Sequence, residues 1–428
     1  MGCGNFDECV RRRVPSMSDY DRGRPGLLAS FDEPEFQKVW GSAVLFGLGL
    51  WAERVAMGWF VLDATGSVLL TTLSFAIRTM PNIVVGPIAG AASDRFSRAT
   101  ILAVAAMVRA VAVAAMAVVV LWGGGSIPLL LGLVLVTGST NAFQTTSLNA
   151  LQADIVGRER LGNAISLTQM GQRTVGVIGG LSGGFLLGWL GPGPAFLAAT
   201  GPLILAAVGY SRVSVTREER EGTERSGFIS EVIEGLALIV RIPVVRLLLT
   251  LMILVEILGF SWNSLLPAVA ELVLEVGPEG LGALMASTAL GSMVGTLILV
   301  ATSHWQYRGR MLLVVFAVFG LLLISLGLSR SFVVSLVIVA GLGATSSMVD
   351  ALEWIMLQSN VPDRLRGRAL GGWIFAIGFG WLGPISLGAL AEVTSVGRAV
   401  ATGGSLLLMV ALISALVAPR LSRGEGRI

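Results

Sequence analysis

The sequence predicts an all-α membrane protein with twelve transmembrane helices. Of its 428 residues, 54% are hydrophobic and 13% are charged, a balance far outside that of soluble globular domains. From Phe36 onward, twelve apolar segments have about the 20-residue length that a helix needs to cross a bilayer at ~1.5 Å per residue. The 55 glycines suit close packing of helices in lipid.

A polar segment divides the twelve predicted spans into two sets of six. The first set is 39–62, 68–92, 99–122, 127–149, 162–189 and 194–211, and the second is 244–272, 281–303, 311–328, 332–357, 366–391 and 396–418. The predicted organisation is a disordered cytoplasmic tail (1–35), an N-terminal six-helix bundle (36–211), a cytoplasmic linker with an amphipathic helix (212–243), a C-terminal six-helix bundle (244–418) and a second cytoplasmic tail (419–428).

The distribution of arginines predicts the orientation. Cytoplasmic loops carry an excess of basic residues. Arginines gather in every second loop of this chain, and Arg330 and Arg398 are the only basic residues in the loops between them. Both termini are therefore predicted to be cytoplasmic, in a chain of the cell (inner) membrane. The predicted cytoplasmic loops hold Arg95 and Arg98; Arg158 and Arg160; Arg212 to Arg246; Arg308 and Arg310; and Arg364, Arg366 and Arg368.

Residue counts exclude several kinds of chemistry. Lys38 is the only lysine, so the chain has no GxxxxGK[ST] phosphate loop and no ATP-driven motor of that type. His304 is the only histidine, and Cys3 and Cys9 are the only cysteines, which gives no metal site with the usual spacing. We predict no cofactor, no metal and no nucleic-acid partner.

The stretch GPIAGAASDRFSR at 86–98 carries the clearest motif. Gly86 and Gly90 give a helix a small-residue face for close packing, and charged residues follow in the loop after the second span. The run resembles the signature loop between spans 2 and 3 of the major facilitator superfamily of secondary transporters. It departs from that signature at Ser97 and Ala99, where the family usually has glycine and a basic residue. The charged members of the motif are Asp94, Arg95 and Arg98.

This resemblance implies a fold and one residue role. The fold would be two pseudo-symmetric six-helix bundles, and Asp94 would stabilise one of two alternating conformations. The alternative is that Asp94 and its neighbouring arginines only end a helix at the headgroups. The stretch EGLALIVRIPVVRLLLTL also resembles the entry to span 7 in the branch of the superfamily that contains enterobactin and macrolide exporters.

An internal repeat supports two homologous halves. The segments LQADIVGRERLGNAISL at 151–167 and LQSNVPDRLRGRALGGW at 357–373 share the LQ pair and spaced arginines. They place the ends of spans 4 and 10 at equivalent positions, as parallel repeats do.

Charged residues inside the predicted spans are candidate functional groups, because each costs at least about 2.5 kcal/mol to insert and needs a partner, a wet cavity or a function. The resemblance implies that spans 1, 4, 7 and 10 line the central cavity. Glu256 has no cation near it in span 7, so burial favours its protonated form, and we predict that it carries the coupling proton. The further proton candidates are Glu53, Asp350 and Glu353. The mid-span cations are candidates for lining the cavity and binding the substrate, and they are Arg54, Arg78, Arg109 and Arg173.

Two alternatives apply to these site residues. Glu53 is expected either to titrate or to pair with Arg109 or Arg78 in a buried ion pair that only holds helices together. The aromatic side chains proposed for the cavity would otherwise be packing or lipid contacts. The stretch GGLSGG at 179–184 resembles an antiporter motif and would otherwise serve helix packing. The six uncharged cavity candidates are Phe143, Gln144, Phe260, Trp262, Asn263 and Trp373.

The sequence thus predicts a secondary active transporter that exports an amphipathic small molecule, such as a drug or siderophore, by proton antiport and alternating access. Its partners would be the small molecule, protons and the lipid bilayer, and the chain would act as a monomer. The alternatives are a proton-independent facilitator or a lysolipid flippase. A membrane enzyme or receptor is disfavoured, because no catalytic Ser–Lys or Ser–His pair, histidine cluster or large soluble domain is evident.

Overall fold

A computed structural model gives the fold of most of the chain. Within the part that it describes there are helices and no strands, and twelve helices are long and apolar enough to cross a membrane. The predicted fold class is confirmed. The described residues are 28–122, 126–215, 242–302, 304–305, 307–361, 372–373 and 375–417.

The twelve spans follow the predicted order. Predictions for residues 1–27, for the amphipathic linker helix, for the first part of predicted span 11 and for the last tail lie outside the described residues. Spans 1 to 6 are Pro34–Thr65, Val68–Arg95, Arg98–Leu121, Ile127–Gly157, Glu159–Leu190 and Pro192–Ser211. Spans 7 to 12 are Pro243–Val273, Gly277–Ala301, Arg308–Leu328, Phe332–Ser359, Phe375–Val393 and Val396–Leu416.

Proline and glycine set several span boundaries. Pro34 starts span 1, where the missing proline N–H costs no helical hydrogen bond. Gly66 ends it in a left-handed conformation with φ of 64°, which glycine adopts without steric cost. Ser67 then caps span 2 by accepting a hydrogen bond from the Leu70 N–H at 3.2 Å. Gly157, with φ of 70°, makes the turn between spans 4 and 5.

Helix packing divides the spans into two bundles. In the first, span 1 packs on spans 5 and 6, and span 3 packs on spans 4 and 6. In the second, span 9 packs on span 12, and span 10 packs on spans 8 and 9. Spans 5 and 8 and spans 2 and 11 join the two bundles. We call the membrane side at which Pro34 begins span 1 the terminal side, and the side of Thr65 the distal side.

On the distal side the two bundles are in close contact. A Cβ atom at Gly184 of span 5 would lie 2.6 Å from the Pro278 carbonyl oxygen and 2.8 Å from Cα of Gly282, both in span 8. The Leu69 N–H at the start of span 2 donates a hydrogen bond to Glu392 of span 11 at 3.0 Å. Small residues and this hydrogen bond therefore hold the distal ends of the bundles together.

On the terminal side, one face of span 2 has no described neighbour, although Ala89 on the same stretch is buried. No described atom lies within 4 Å of the place where a Cβ at Gly86 or Gly90 would be. Val84 and Ile88 on the same stretch are 67% and 56% exposed. Among the described residues, the close approach of the bundles is therefore distal, and the small-residue face of the motif is unpacked.

Helical structure is present before the predicted end of the N-terminal tail. Ala29–Asp32 form a short 3₁₀-helix, and Ser30 donates hydrogen bonds to Asn163 of span 5 from its N–H at 3.2 Å and its hydroxyl at 2.7 Å. The Phe31 ring meets Trp40 edge to face, with centroids 5.2 Å apart. Aromatic burial and these hydrogen bonds order a segment that the composition alone assigns to the tail.

Candidate transport site

Glu53 is the centre of a buried ion cluster in the first bundle. Its Oε1 accepts a hydrogen bond from Nη1 of Arg78 at 2.7 Å, and the Thr137 hydroxyl lies 3.1 Å from the same oxygen. Its Oε2 accepts from Nε and Nη2 of Arg109 at 3.0 and 2.7 Å. The carboxylate is fully buried, so one acidic group ties together spans 1, 2, 3 and 4.

Arg109 is satisfied on all sides. Besides its two bonds to Glu53, it donates from Nη1 to the Thr137 carbonyl oxygen at 3.0 Å. Its guanidinium lies 5.3 Å from the centroid of the Phe46 ring, a favourable cation–π distance. A buried ion pair with Arg109 or Arg78 is the alternative role that the sequence predicts for Glu53. The structure contains this ion pair, and both arginines take part in it.

Arg54, next to Glu53 in span 1, is bound differently. Its guanidinium lies between two rings, 5.3 Å from the centroid of Trp51 and 5.4 Å from that of Phe75. Its Nε is buried and has no hydrogen-bond partner among the described residues. A buried donor without a partner is costly, and among the described residues the recorded close contacts of this guanidinium are with the two rings.

The second bundle contributes an acidic cluster, which we define as Glu256 of span 7 with Asp350 and Glu353 of span 10. The three carboxylates lie close enough to repel one another electrostatically. Arg173 of span 5 is the cation whose charge acts on Asp350. Within the described part of the chain, no group of three or more acidic, histidine or cysteine side chains is placed to hold a metal ion.

The members of the acidic cluster differ in access. Glu353 is 2% exposed, and its Oε1 has no described hydrogen-bond partner. Asp350 is exposed, and the cation whose charge acts on it, Arg173, belongs to the other bundle. Glu256 is half-buried against span 11, where a Cβ at Gly380 would lie 2.9 Å from its Oε2.

The loop motif is anchored to span 4. Arg98 donates from Nη1 to the Ala150 carbonyl oxygen at 2.9 Å and to the carboxylate of Asp154, and its Nε donates to the Ser93 carbonyl oxygen at 3.4 Å. Asp94 and Arg95 are exposed at the end of span 2. The arginine of the motif therefore ties the loop between spans 2 and 3 to the terminal end of span 4.

Several predicted cavity side chains lie in packed surroundings. Gln144 donates to the Tyr210 hydroxyl at 2.6 Å between spans 4 and 6. Trp262 is 1% exposed, and the ring of Phe260 packs 5.9 Å from that of Phe319 in span 9. In this conformation these three side chains contact the protein interior.

The remaining three candidates are more accessible. Phe143 and Asn263 are half-buried, as is Trp373. The Trp373 ring meets Trp354 edge to face, with centroids 5.0 Å apart, between spans 10 and 11. The structure does not bring the six predicted cavity side chains into one site.

Sequence reasoning missed the partners of the charged groups. Thr137 and Phe75 have no charge to mark them, and Trp51 has the character of an ordinary span aromatic. Asp154 does have a signal, since it lies in the repeated LQ segment at the end of span 4. Gly380 can be recognised as a neighbour of Glu256 only from the position of span 11 in the structure.

Two bundles of six spans, with charged groups buried between and within them, define a membrane transporter of the major facilitator type. The chain belongs to the transmembrane secretion effector family, whose family model matches residues 26–425. The predicted resemblance to the superfamily and to its exporter branch is confirmed.

Two relatives of this chain are exporters by name. It is 25% identical over 392 residues to the multidrug efflux pump Tap of Mycolicibacterium fortuitum, covering 89% of this chain and 94% of Tap. It is 29% identical over 278 residues to the enterobactin exporter EntS of Escherichia coli O1:K1 / APEC. That match covers 63% of this chain and 64% of EntS, so the chain matches just under two thirds of that relative.

Solved structures of other transporters share the fold. A mutant of the nucleoside transporter NupG superposes with a TM-score of 0.73 at 11% identity, covering 89% of this chain and 99% of that one. A D-xylose-proton symporter gives a TM-score of 0.72 at 15% identity, covering 91% and 98%. At these identities the likeness concerns the fold alone.

Proposed function

We propose that this transporter exports an amphipathic small molecule in exchange for protons, and that Glu256, Asp350 and Glu353 carry the protons. The observation behind the proposal is the acidic cluster itself. Three carboxylates in membrane spans repel one another, and Arg173 is the cation whose charge acts on one of them, Asp350. Mutual repulsion between neighbouring carboxylates favours protonation of one of them, so the cluster is suited to take up and release protons.

Glu53 is better suited to a structural role than to proton exchange. It has two arginine partners at 2.7 Å, and protonating it would leave buried guanidiniums without a counter-charge. Such a loss costs several kcal/mol, roughly 3–5 for a buried pair. The proton candidates therefore reduce to the acidic cluster of the second bundle.

The proposed cycle is a rocking of the two bundles about the site between them. Contact through Gly184, Gly282 and the Leu69–Glu392 hydrogen bond suits a state closed on the distal side. With the termini in the cytoplasm of an inner-membrane protein, as the arginine-rich loops favour, that state would load its cargo from the cytoplasm. Both bundles belong to one chain, so a monomer would suffice.

The names of two relatives support the direction of transport. Tap is a multidrug efflux pump and EntS an enterobactin exporter, and the match to Tap runs over most of both chains. Export is therefore the direction we propose for this chain.

Proton release by the purified protein tests the proposal. A compound that raises its thermal stability in a ligand panel is a bound ligand, and adding that compound to unbuffered protein is expected to release protons. Glu256→Gln should reduce the release while the fold persists. Glu271→Gln is the matched control, since Glu271 is an exposed carboxylate at the distal end of the same span.

Two results would contradict this function. Binding without proton release in the wild type would favour a proton-independent facilitator or a flippase. Normal release from a protein carrying Glu256→Gln, Asp350→Asn and Glu353→Gln together would remove the acidic cluster from the mechanism.

A further inference from the structure

The buried charges of the first bundle do not balance. We define the arginine cluster as Arg54, Arg78 and Arg109, the three guanidiniums around Glu53. Three positive charges face one negative charge, which leaves a formal excess of two positive charges inside a membrane bundle. Among the described residues, the charges that act on Arg54 are Arg78, Arg109 and Glu53. An uncompensated charge at this depth requires a partner or a function.

The three arginines are not equally free to take a further partner. The Arg109 side chain is 1% exposed, and its guanidinium donates hydrogen bonds to Glu53 and Thr137. Arg78 gives Nη1 to Glu53, and its side chain keeps 14% exposure. Arg54 donates no hydrogen bond to any described side chain, and its buried Nε is unpaired. The excess charge is therefore available at Arg54 and Arg78.

Arg54 lies where the two bundles meet. On one side, a Cβ at Gly176 of span 5 would lie 3.3 Å from the ring of Trp51 and 3.1 Å from Cβ of Ala289 in span 8. Trp51, one of the two rings that hold Arg54, therefore borders the second bundle.

The other ring that holds Arg54 borders the second bundle as well. A Cβ at Gly58 of span 1 would lie 2.9 Å from Pro267 of span 7 and 3.1 Å from the ring of Phe75. Both rings beside Arg54 thus reach the boundary between the bundles, where a transported molecule must pass.

We propose that Arg54 and Arg78 bind an acidic group of the transported compound, an inference that rests on the proposed export function. Guanidinium groups present donors that match the oxygens of a carboxylate or phosphate. Trp51, which is half-buried, supplies apolar surface for the rest of the molecule. The acidic group would supply the charge that the arginine cluster lacks.

The acidic cluster adds a second requirement on the compound. An acidic group alone would attract protons to Glu256 and Asp350 rather than displace them. Exchange for protons is favoured when the same molecule also carries a basic group that replaces the protons on the carboxylates. The cargo is therefore an amphipathic zwitterion, with its acidic end toward the first bundle and its basic end toward the second.

A pair of matched probes tests the acidic group. 4-(Aminomethyl)benzoate and 4-(aminomethyl)benzamide share the ring and the basic group and differ in the acid. Calorimetric titration of the purified full-length protein should show binding of the acid at least about tenfold tighter than binding of the amide, the size of one charge-assisted hydrogen bond. Arg54→Gln should abolish the preference, and Arg54→Lys should retain part of it.

Arg330→Gln is the matched control, because Arg330 is an exposed arginine in a distal loop, and this variant should keep the full preference. Equal affinity for the two probes, no binding of the acid at millimolar concentration, or an unchanged preference in Arg54→Gln would each overturn the site.

The binding titration uses no proton gradient, so its failure is distinguishable from failure of the export function. Tighter binding of the acid without any proton release would keep the arginine site and reject proton exchange. Proton-coupled export of compounds that lack an acidic group would keep the export function and reject the site.

Discussion

The Oε2 atom of Glu53 accepts two hydrogen bonds from Arg109, from Nε at 3.0 Å and from Nη2 at 2.7 Å. This pair crosses from span 1 to span 3, and Arg78 of span 2 completes it at 2.7 Å on the other carboxylate oxygen. One carboxylate thus neutralises part of the charge of two arginines at the centre of the first bundle. This geometry supports the proposed division of the acidic residues, in which Glu53 is structural and the acidic cluster of the second bundle carries the protons.

Neutralising Glu53 is expected to destabilise the first bundle. Glu53→Gln leaves Arg78 and Arg109 without their counter-charge, which costs about 3–5 kcal/mol for a buried pair. Unfolding in detergent should show this loss, whereas Glu353→Gln, which removes a buried carboxylate with an unpaired oxygen, should cost less or stabilise. Equal stability of Glu53→Gln and the wild type would contradict the structural role of Glu53.

Arg98 and Asp154 are expected to act as one unit. Their ion pair links the loop between spans 2 and 3 to span 4, so Arg98→Gln and Asp154→Asn should change cysteine accessibility at the terminal ends of the spans in the same direction. The double variant should change this accessibility little more than either single variant does. That result corresponds to a coupling free energy of about 0.5–3 kcal/mol between the two residues. Strictly additive effects of the two changes would show that the residues act independently.

Enlarging Gly184 is expected to open the distal side. Gly184→Leu has no room against Pro278 and Gly282 of the other bundle, and overpacking of about 1–3 kcal/mol in the closed state shifts the conformational equilibrium roughly 5–150-fold. Cysteines placed in the cavity should then be labelled faster from the distal side. Gly132→Leu is the control, since Gly132 is exposed and has no described neighbour within 4 Å. Unchanged labelling of Gly184→Leu would contradict the distal contact.

A methyl group at Gly380 is expected to move the Glu256 carboxylate without removing its charge. The added Cβ would lie 2.9 Å from Oε2, and the flexible end of the glutamate would give way. Ligand-induced proton release should therefore fall in Gly380→Ala while the protein stays folded. The control Gly201→Ala, at a position with open space, should release protons normally. Equal proton release from the two variants would contradict the contact between Gly380 and the Glu256 carboxylate.

The sequence was sufficient for the twelve spans because hydrophobic length is a local property of the chain. It also supplied the pairing of Glu53 with Arg109 or Arg78, because charged residues are scarce in the spans and each requires a partner. The motif identified Arg98, although its partner Asp154 required the placement of span 4.

The rotation of each helix about its own axis could not be predicted from the sequence. A span that is apolar on all sides has no polar face to orient it, so Gln144 and Trp262 were assigned to the cavity although they lie buried in packed surroundings. Neutral partners of the charged groups, such as Thr137, and small neighbours of them, such as Gly380, can be identified only from the packing of spans that are distant in the sequence.

The most direct test of proton-coupled export is uphill transport in proteoliposomes with an imposed pH gradient. The cargo is a compound that stabilises the purified protein in the ligand panel. We expect the wild type to accumulate this compound against its concentration gradient and to stop when the pH gradient is collapsed. We expect Glu256→Gln to retain binding but to lose accumulation. Equal accumulation by Glu256→Gln, or transport by the wild type that only equilibrates the compound whatever the gradient, would contradict proton-coupled export.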